Sequence, residues 1–269
     1  NLVVNPDLEI RSYRYWEPTS EIDEKMSLDD AVEGARQHLL ESVKLRLRSD
    51  VPLAFCLSGG VDSASIVSIA ANIFNYDVSV FSIIDSDERY NEQDNIQATI
   101  NHINCKNTLI ELSYDNVLSR LQGLVEYHDA PVATTTYFVH SILSEQISKR
   151  GYRVAFSGTS ADELFTGYYD HFLLHLNAVS SNTNYTQYLS DWKENILQFV
   201  RNPILRNPKL YRETPDYREH IYDNSSEFIR LLKVPFYEEF TEEYFTEGML
   251  RNRMMNELFH EATPVILHE

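Results

Sequence analysis

Between residues 53 and 156 short apolar runs alternate with stretches of helical period, and nothing else in the chain narrows the available folds as much. Leu53 to Leu57 reads as a strand and about Asp62 to Phe74 as a helix. Asp77 to Ile84 (DVSVFSII) reads as a strand before a helix over Asn91 to Ile103, and Thr108 to Leu112 as a strand before a helix over Asp115 to Tyr127. A helix from about Tyr137 to Arg150 then precedes the strand Arg153 to Phe156. Strands separated by helices of roughly ten to fifteen residues cannot be paired as hairpins. They indicate right-handed βαβ crossovers, and hence an α/β fold with a parallel twisted sheet flanked by helices.

Before this block, Ser27-Leu28-Asp29-Asp30 has the form of a capped helix start. Leu28, Val32, Ala35, Leu39, Val43 and Leu47 follow at steps of three or four, predicting one apolar helix face to about residue 48. The first twenty residues, including SYRYWEP, lack periodicity and read as a linker or entering arm. From about His171 the character changes. The stretches 185–201, 224–234 and 237–260 are rich in Tyr, Phe and Leu at helical spacing, separated by Pro203, Pro208, Pro215 and Pro235. This predicts a helical C-terminal subdomain whose aromatics serve packing. The expected organisation is an arm over 1–26, a nucleotide-binding domain over 27–177 and a helical subdomain over 178–269. The final TPVILHE has neither helix cap nor polar tail, as in a chain that continues.

Charge excludes one class of partner. With 23 Lys and Arg against 41 Asp and Glu the net charge is −18. So acidic a surface repels phosphate backbones, which argues against nucleic acid. No apolar run approaches the length of a membrane span, and no cleavable leader pattern opens the sequence. Cys56 and Cys105 lie far apart without metal-type spacing, the pattern of two reduced thiols in a cytoplasmic protein. Any phosphate bound here must be held locally, by backbone N–H groups, a helix start or a metal ion.

The stretch LAFCLSGGVDSASIVSIA supplies such a place. No glycine is followed by lysine and no G-x-G-x-x-G spacing occurs, so neither a Walker loop nor a dinucleotide fingerprint is present. Ser58, Gly59, Gly60, Val61, Asp62 and Ser63 instead span a strand-to-helix turn. Residues without Cβ let the backbone approach an anion closely, and N–H groups opening the next helix point at it. Ser58 and Ser63 add donors without charge. Asp62 would repel a bare phosphate but suits one bridged through Mg²⁺. An ordinary βα turn with a first-turn carboxylate is the structural alternative.

SGGVDS resembles the pyrophosphate loop of the PP-loop ATP pyrophosphatases, which split ATP between its α and β phosphates. Within that superfamily the chain is similar to the synthetase domain of the glutamine-dependent asparagine synthetases. FSGTSADELFTGYYDHF, residues 156–172, resembles that family's Ser-Gly-Glu-Gly-Ser/Ala-Asp-Glu-Leu-Phe-x-Gly-Tyr. The likeness covers about residues 10 to 177. It implies ATP and Mg²⁺ as cofactors, with Asp62 and Asp162 as metal ligands and catalytic groups, and Ser157 and Gly158 beside the phosphates. The adenine would lie near Cys56 or Leu57, Ile83 and the backbone around Gly158. Glu163 is expected to support its turn, and residues 82–93, with Tyr90-Asn91-Glu92, to form a loop over the nucleotide.

One position departs from the family pattern. Thr159 stands where the family has the glutamate associated with amine attack, and a threonine cannot accept a proton near neutral pH. Glu92, Asp129 and His140 are candidates to replace it; otherwise the acyl acceptor is not aspartate. The resemblance implies ATP-dependent amide formation with ammonia from a glutaminase domain outside this chain, on a small carboxylate, aspartate by default. Amidation of a uronic-acid sugar, a tRNA-modifying PP-loop enzyme and an inactive nucleotide-binding module are the rivals, and a homodimer is compatible with all of them.

Overall fold

The computed structural model describes residues 1–18, 22–23, 25–88, 90–132, 134–222, 225–235 and 241–267. Its strands are β1 (Leu2–Val4), β2 (Ile10–Ser12), β3 (Leu53–Cys56), β4 (Ser79–Ile84), β5 (Lys106–Glu111) and β6 (Val154–Phe156). The helices beside the sheet are α1 (Leu28–Arg46), α2 (Val61–Ser68), α3 (Gln93–Ile103), α4 (Val117–His128) and α5 (Thr136–Lys149). After β6 come α6 (Ala161–Phe165), α7 (Tyr169–Ala178), α8 (Tyr185–Asn195), α9 (Leu210–Glu213), α10 (Ser225–Ile229), α11 (Met249–His260) and α12 (Ala262–Leu267).

β3 to β6 form the expected parallel sheet, in the order β5-β4-β3-β6. From β3 the chain winds outward through β4 and β5, then returns to β3's other side with β6. The strand order therefore reverses between β3 and β6, where an open α/β sheet leaves its ligand crevice.

Alternation along the strands assigns the two faces. Leu53, Phe55, Leu57 and Val80 pack with Val43 of α1, Val67 of α2 and Ile96 and Ile100 of α3. Ala54, Phe81 and Ile110 pack on the other face with Ile147 of α5. Phe55 is fully buried and stacks on Phe156 at 4.8 Å, tying the strands across the reversal. Helices thus cover both faces. A separate apolar cluster joins Leu173, Leu174 and Leu176 of α7 to Trp192 of α8, Val200, Leu205, and Leu210 and Tyr211 of α9. Tyr185, Tyr188, Trp192, Tyr211 and Tyr217 of this region serve packing, whereas Phe199, Phe228 and Tyr244 are exposed.

Three expectations need correction. The opening residues are not irregular: β1 and β2 pair antiparallel. Asn5 accepts backbone N–H bonds from Asp7 and Glu9 through its side chain, closing the turn. Secondly, α1 begins at its Ser27 cap, whose hydroxyl accepts from Asp30 N–H at 3.1 Å, but only its second half reaches the sheet. Val43 is buried and Leu39 and Leu47 pack nearby, whereas Leu28 and Val32 are exposed. Thirdly, residues 241–248 are not helical. The N–H groups of Glu243 and Phe245 bond to the side chains of Asn256 and Asn252 instead of continuing a helix. Residues 224 and 237–240 of the expected helices, and the last two residues of TPVILHE, lie outside the described residues. Among those described, no helix is long and apolar enough to cross a membrane.

Candidate active site

β3 ends at Cys56, and the chain turns through Ser58-Gly59-Gly60 into α2. The turn holds itself in shape. Ser58 N–H donates to Ser63 Oγ at 3.1 Å, Gly60 N–H to Ser58 Oγ at 3.2 Å, and the two hydroxyls lie 2.9 Å apart. Gly60 caps α2 without a side chain. The N–H groups of Val61, Asp62 and Ser63 stand at the helix start, where no carbonyl of the preceding turn is available to them. This is the donor arrangement that suits an anion.

One strand across, β6 ends at Phe156 and turns through Ser157-Gly158-Thr159-Ser160 into α6. Ser157 Oγ and Thr159 Oγ1 share a hydrogen bond of 2.6 Å on the exposed side. Ser160 takes φ +71°, left-handed backbone that favours glycine, where the resembling pattern has glycine. Thr263 of α12 donates to its hydroxyl at 2.9 Å.

The two turns touch. A Cβ on Gly158 would lie 2.8 Å from the backbone nitrogen of Ser63 and 3.1 Å from Asp62 Cβ. Gly158 is thus a requirement of contact between the loops. Gly158→Ala must push α2 away from β6, and overpacking of this kind destabilises by about 1–3 kcal/mol. The expected result is a lower denaturant midpoint at unchanged m-value, measured by urea unfolding; an unchanged midpoint would mean the loops are not pressed together.

This contact brings Asp62 and Asp162 to one crevice. Burial raises the Asp62 carboxyl above its ordinary range, with the Glu163 charge adding to it. Burial likewise raises Asp162, and the Asp62 charge adds. Like charges gathered in this way suit a divalent cation, and neither carboxylate has a hydrogen-bonding or ion-pairing partner among the described residues. Behind them Glu163 is buried, one oxygen accepting from Tyr168 Oη at 2.7 Å and the other without a hydrogen-bond partner among the described residues.

Gly167 closes the second motif against Asp162: a Cβ there would fall 1.6 Å from Asp162 Oδ1. Gly167 N–H lies 3.3 Å from His171 Nδ1, and His171 Nε2 lies 2.7 Å from Glu257 Oε2. The pair is buried between α7 and α11. Asp170, His171 and Glu257 bring three ligand-type atoms within 4.8 Å of one another. The Arg253 guanidinium already lies there, 3.1 Å from Glu257 and 3.8 Å from Asp170, and fills the cation's place. Arg253 also pairs with Glu242 and Glu261, and Arg218 with Glu242.

Acid should loosen this network. Burial alone would raise the Asp170 carboxyl, but a hydrogen bond from His220 and the charges of His171, His220 and Arg253 outweigh it and hold it below 3.8. Asp170 therefore contributes stability above the unfolded value, lost as pH falls through the lower folded one. Unfolding free energy followed downward from neutral pH should drop below about pH 4, and Asp170→Asn should flatten that limb. An identical acid limb in the variant would remove Asp170 from the account.

Of the other residues singled out in the sequence, Leu57 is buried in the core, and its backbone N–H bonds to Phe81 O at 2.9 Å. Cys56 and Ile83 are half-buried together on the opposite face. Burial pushes the Cys56 thiol up to about 11, so it stays protonated, and both cysteines are free. Glu92 is hydrogen-bonded into the first turn, accepting from Gly59 N–H at 2.9 Å. Asp129 closes α4 with φ +52°, exposed to solvent, and His140 lies on α5. The Arg253–Glu257–His171 chain behind Asp162 was not anticipated. Its trace in the sequence is the four-residue spacing of Asn252, Asn256 and of Arg253, Glu257, which sets polar pairs around Met254 and Met255.

Comparison with protein families matches residues 34–258 to the family described as asparagine synthase. Among curated proteins, the chain is 27% identical over 184 residues to the amidase chyE of Penicillium rubens, covering 62% of this chain and 27% of that protein. It is 32% identical over 140 residues to the glutamine-hydrolysing asparagine synthetase 1 of Bacillus subtilis, covering 52% and 22%. It is 28% identical over 177 residues to the putative asparagine synthetase 2 of Methanocaldococcus jannaschii, covering 64% and 33%. The chain thus spans 22–33% of the length of these relatives. Among solved structures, the NH3-dependent NAD synthetase of Campylobacter jejuni aligns with 67% of this chain and 91% of its own, at a TM-score of 0.34 and 15% identity.

Proposed function

This chain belongs to the asparagine synthase family, and on that premise we propose that it is the ATP-using half of an amide-forming ligase. One observation carries the reading: two glycine turns touch at the reversal of a parallel sheet, and each delivers an aspartate to the same crevice.

In this proposal ATP lies across the ends of β3 and β6, its outer phosphates against the first N–H groups of α2 and the hydroxyls of Ser58 and Ser63. Cys56, Ile83 and the backbone near Gly158 border the adenine. A substrate carboxylate oxygen attacks the α phosphorus; the bond to the bridging oxygen breaks and pyrophosphate leaves, giving an acyl-adenylate. Ammonia then attacks the acyl carbon, the carbon–oxygen bond to AMP breaks, and one proton leaves the nitrogen. The chain contributes alignment of the reactants and donors preset for the leaving phosphates. Asp62 and Asp162 would hold Mg²⁺, which when bound offsets charge on the departing pyrophosphate.

Aspartate is the default acceptor, with ammonia delivered by a glutaminase unit outside this chain. A second reading is favoured by Thr159. Its hydroxyl is engaged with Ser157 and cannot take the proton that leaves the amine, so a carboxylate on another scaffold, such as a uronic-acid sugar, is the alternative. The test supplies the full-length protein with ATP, Mg²⁺, ammonia and a panel of carboxylates. AMP and pyrophosphate with aspartate establish the first reading, and AMP only with a sugar acid establishes the second. ADP as product, or no nucleotide turnover with any carboxylate, would overturn both.

A further inference from the structure

The N–H groups of the first glycine turn do not all face the crevice. Ser58 N–H is taken by Ser63 Oγ, Gly60 N–H by Ser58 Oγ, and Gly59 N–H by the carboxylate of Glu92, thirty-three residues later. Two of these acceptors belong to the turn itself, and the third comes from another element. Glu92 immediately precedes α3, and its carbonyl accepts the N–H of Ile96, a core residue 1% exposed. The contact is also steric: a Cβ on Gly59 would lie 2.6 Å from Glu92 Cβ and 3.0 Å from Asn95 Cβ. The start of α3 is therefore pressed onto the turn wherever the carboxylate points. The segment leading to Glu92 is fixed at two further places. Tyr114 Oη donates to Asp85 at 2.5 Å, and Arg201 donates to Tyr90 Oη at 2.9 Å with its guanidinium 5.0 Å from the ring centre.

We propose that Glu92 is a positioning residue for the phosphate-binding turn: its carboxylate holds the Gly59 peptide so that the N–H groups of Val61, Asp62 and Ser63 are presented together. The proposal rests on the reading of this turn as the ATP site. It replaces a proton-transfer role for Glu92 with a hydrogen-bond-acceptor role, and it differs from a competitor role, in which the carboxylate occupies the place of a phosphate. Three consecutive N–H groups satisfied by protein acceptors favour the holding role, because the turn is then complete before any ligand arrives.

Two variants of the full-length protein separate these roles, with ATP affinity measured calorimetrically and AMP formation measured as KM and kcat. In Glu92→Gln the amide oxygen still accepts from Gly59, so affinity and kcat should stay within about threefold of the parent. In Glu92→Ala the acceptor is gone, and KM for ATP should rise about tenfold, the worth of one charge-assisted hydrogen bond, with kcat less affected. Amide exchange at residues 58–63 should quicken in the alanine variant alone. Tighter ATP binding by Glu92→Ala would identify a competitor and overturn the proposal. Equal loss in both variants would point to charge or proton transfer and overturn it too, as would no change in either. A parent protein that binds no ATP overturns the reading of the site and the proposal with it, whereas an ATP-binding parent with an unaffected alanine variant overturns the proposal alone.

Discussion

Asp62→Asn is expected to lower AMP formation by about 10²- to 10³-fold, the scale of losing one preorganised electrostatic partner of a transition state, while the fold becomes no less stable. The two halves of this result have one cause. Asp62 is half-buried and shares its crevice with Asp162 and with buried Glu163, and burial and those charges raise both aspartyl carboxyls. Folding therefore gathers negative charge that His171 offsets only in part at Asp162. An amide at position 62 relieves that repulsion but cannot bind a cation strongly. A turnover assay beside urea unfolding checks both halves. A variant that keeps turnover would remove Asp62 from the chemistry. One that loses stability together with activity would make Asp62 a structural helix-start residue.

Arg253→Met is expected to destabilise the fold by about 3–5 kcal/mol, because it leaves buried carboxylates without their countercharge. Arg253 is 3% exposed and pairs with Glu242, Glu257 and Glu261 beside Asp170. Burial works against its charge, and the surrounding carboxylates more than compensate, holding the guanidinium above its ordinary value. Methionine fills a similar volume, so the loss measures charge rather than a cavity. Through Glu257, His171 and Gly167 the same residue stands behind Asp162, so weakened metal-dependent ATP binding should accompany the lost stability. The variant with Glu257→Gln added should recover part of it, since one unpaired charge is then removed. Urea midpoints of the parent, the single and the double variant provide the check, and an unchanged single variant would sink the account.

Local patterns were legible where side chains and backbone agree at short range. Apolar runs between helical periods marked all four strands of the parallel sheet to within two residues, most directly for the central β3 and β4, which are buried between the helices of both faces. The Ser27 cap and the Ser58–Ser63 turn followed from residue types whose hydrogen bonds reach only a few positions. Less legible was the opening hairpin, whose strand residues are exposed on both sides and so carry no alternation; only Asn5-Pro6-Asp7 signalled a turn. Residues 241–248 misled for the opposite reason. Their helical composition was overridden by Asn252 and Asn256, which lie several residues downstream and capture the backbone N–H groups.

The sequence by itself determined the family, the parallel sheet and the two glycine-bearing junctions, since these depend on periodicity and on residues that lack a side chain at fixed spacing. Tertiary structure alone decided that the junctions lie on adjacent strands with Gly158 against Ser63, that Glu92 reaches back to Gly59, and that an arginine from α11 sits behind Asp162. Each of these is a contact between segments far apart in the chain. It exists because packing the sheet and helices leaves no other room, and neighbouring residues carry no record of that.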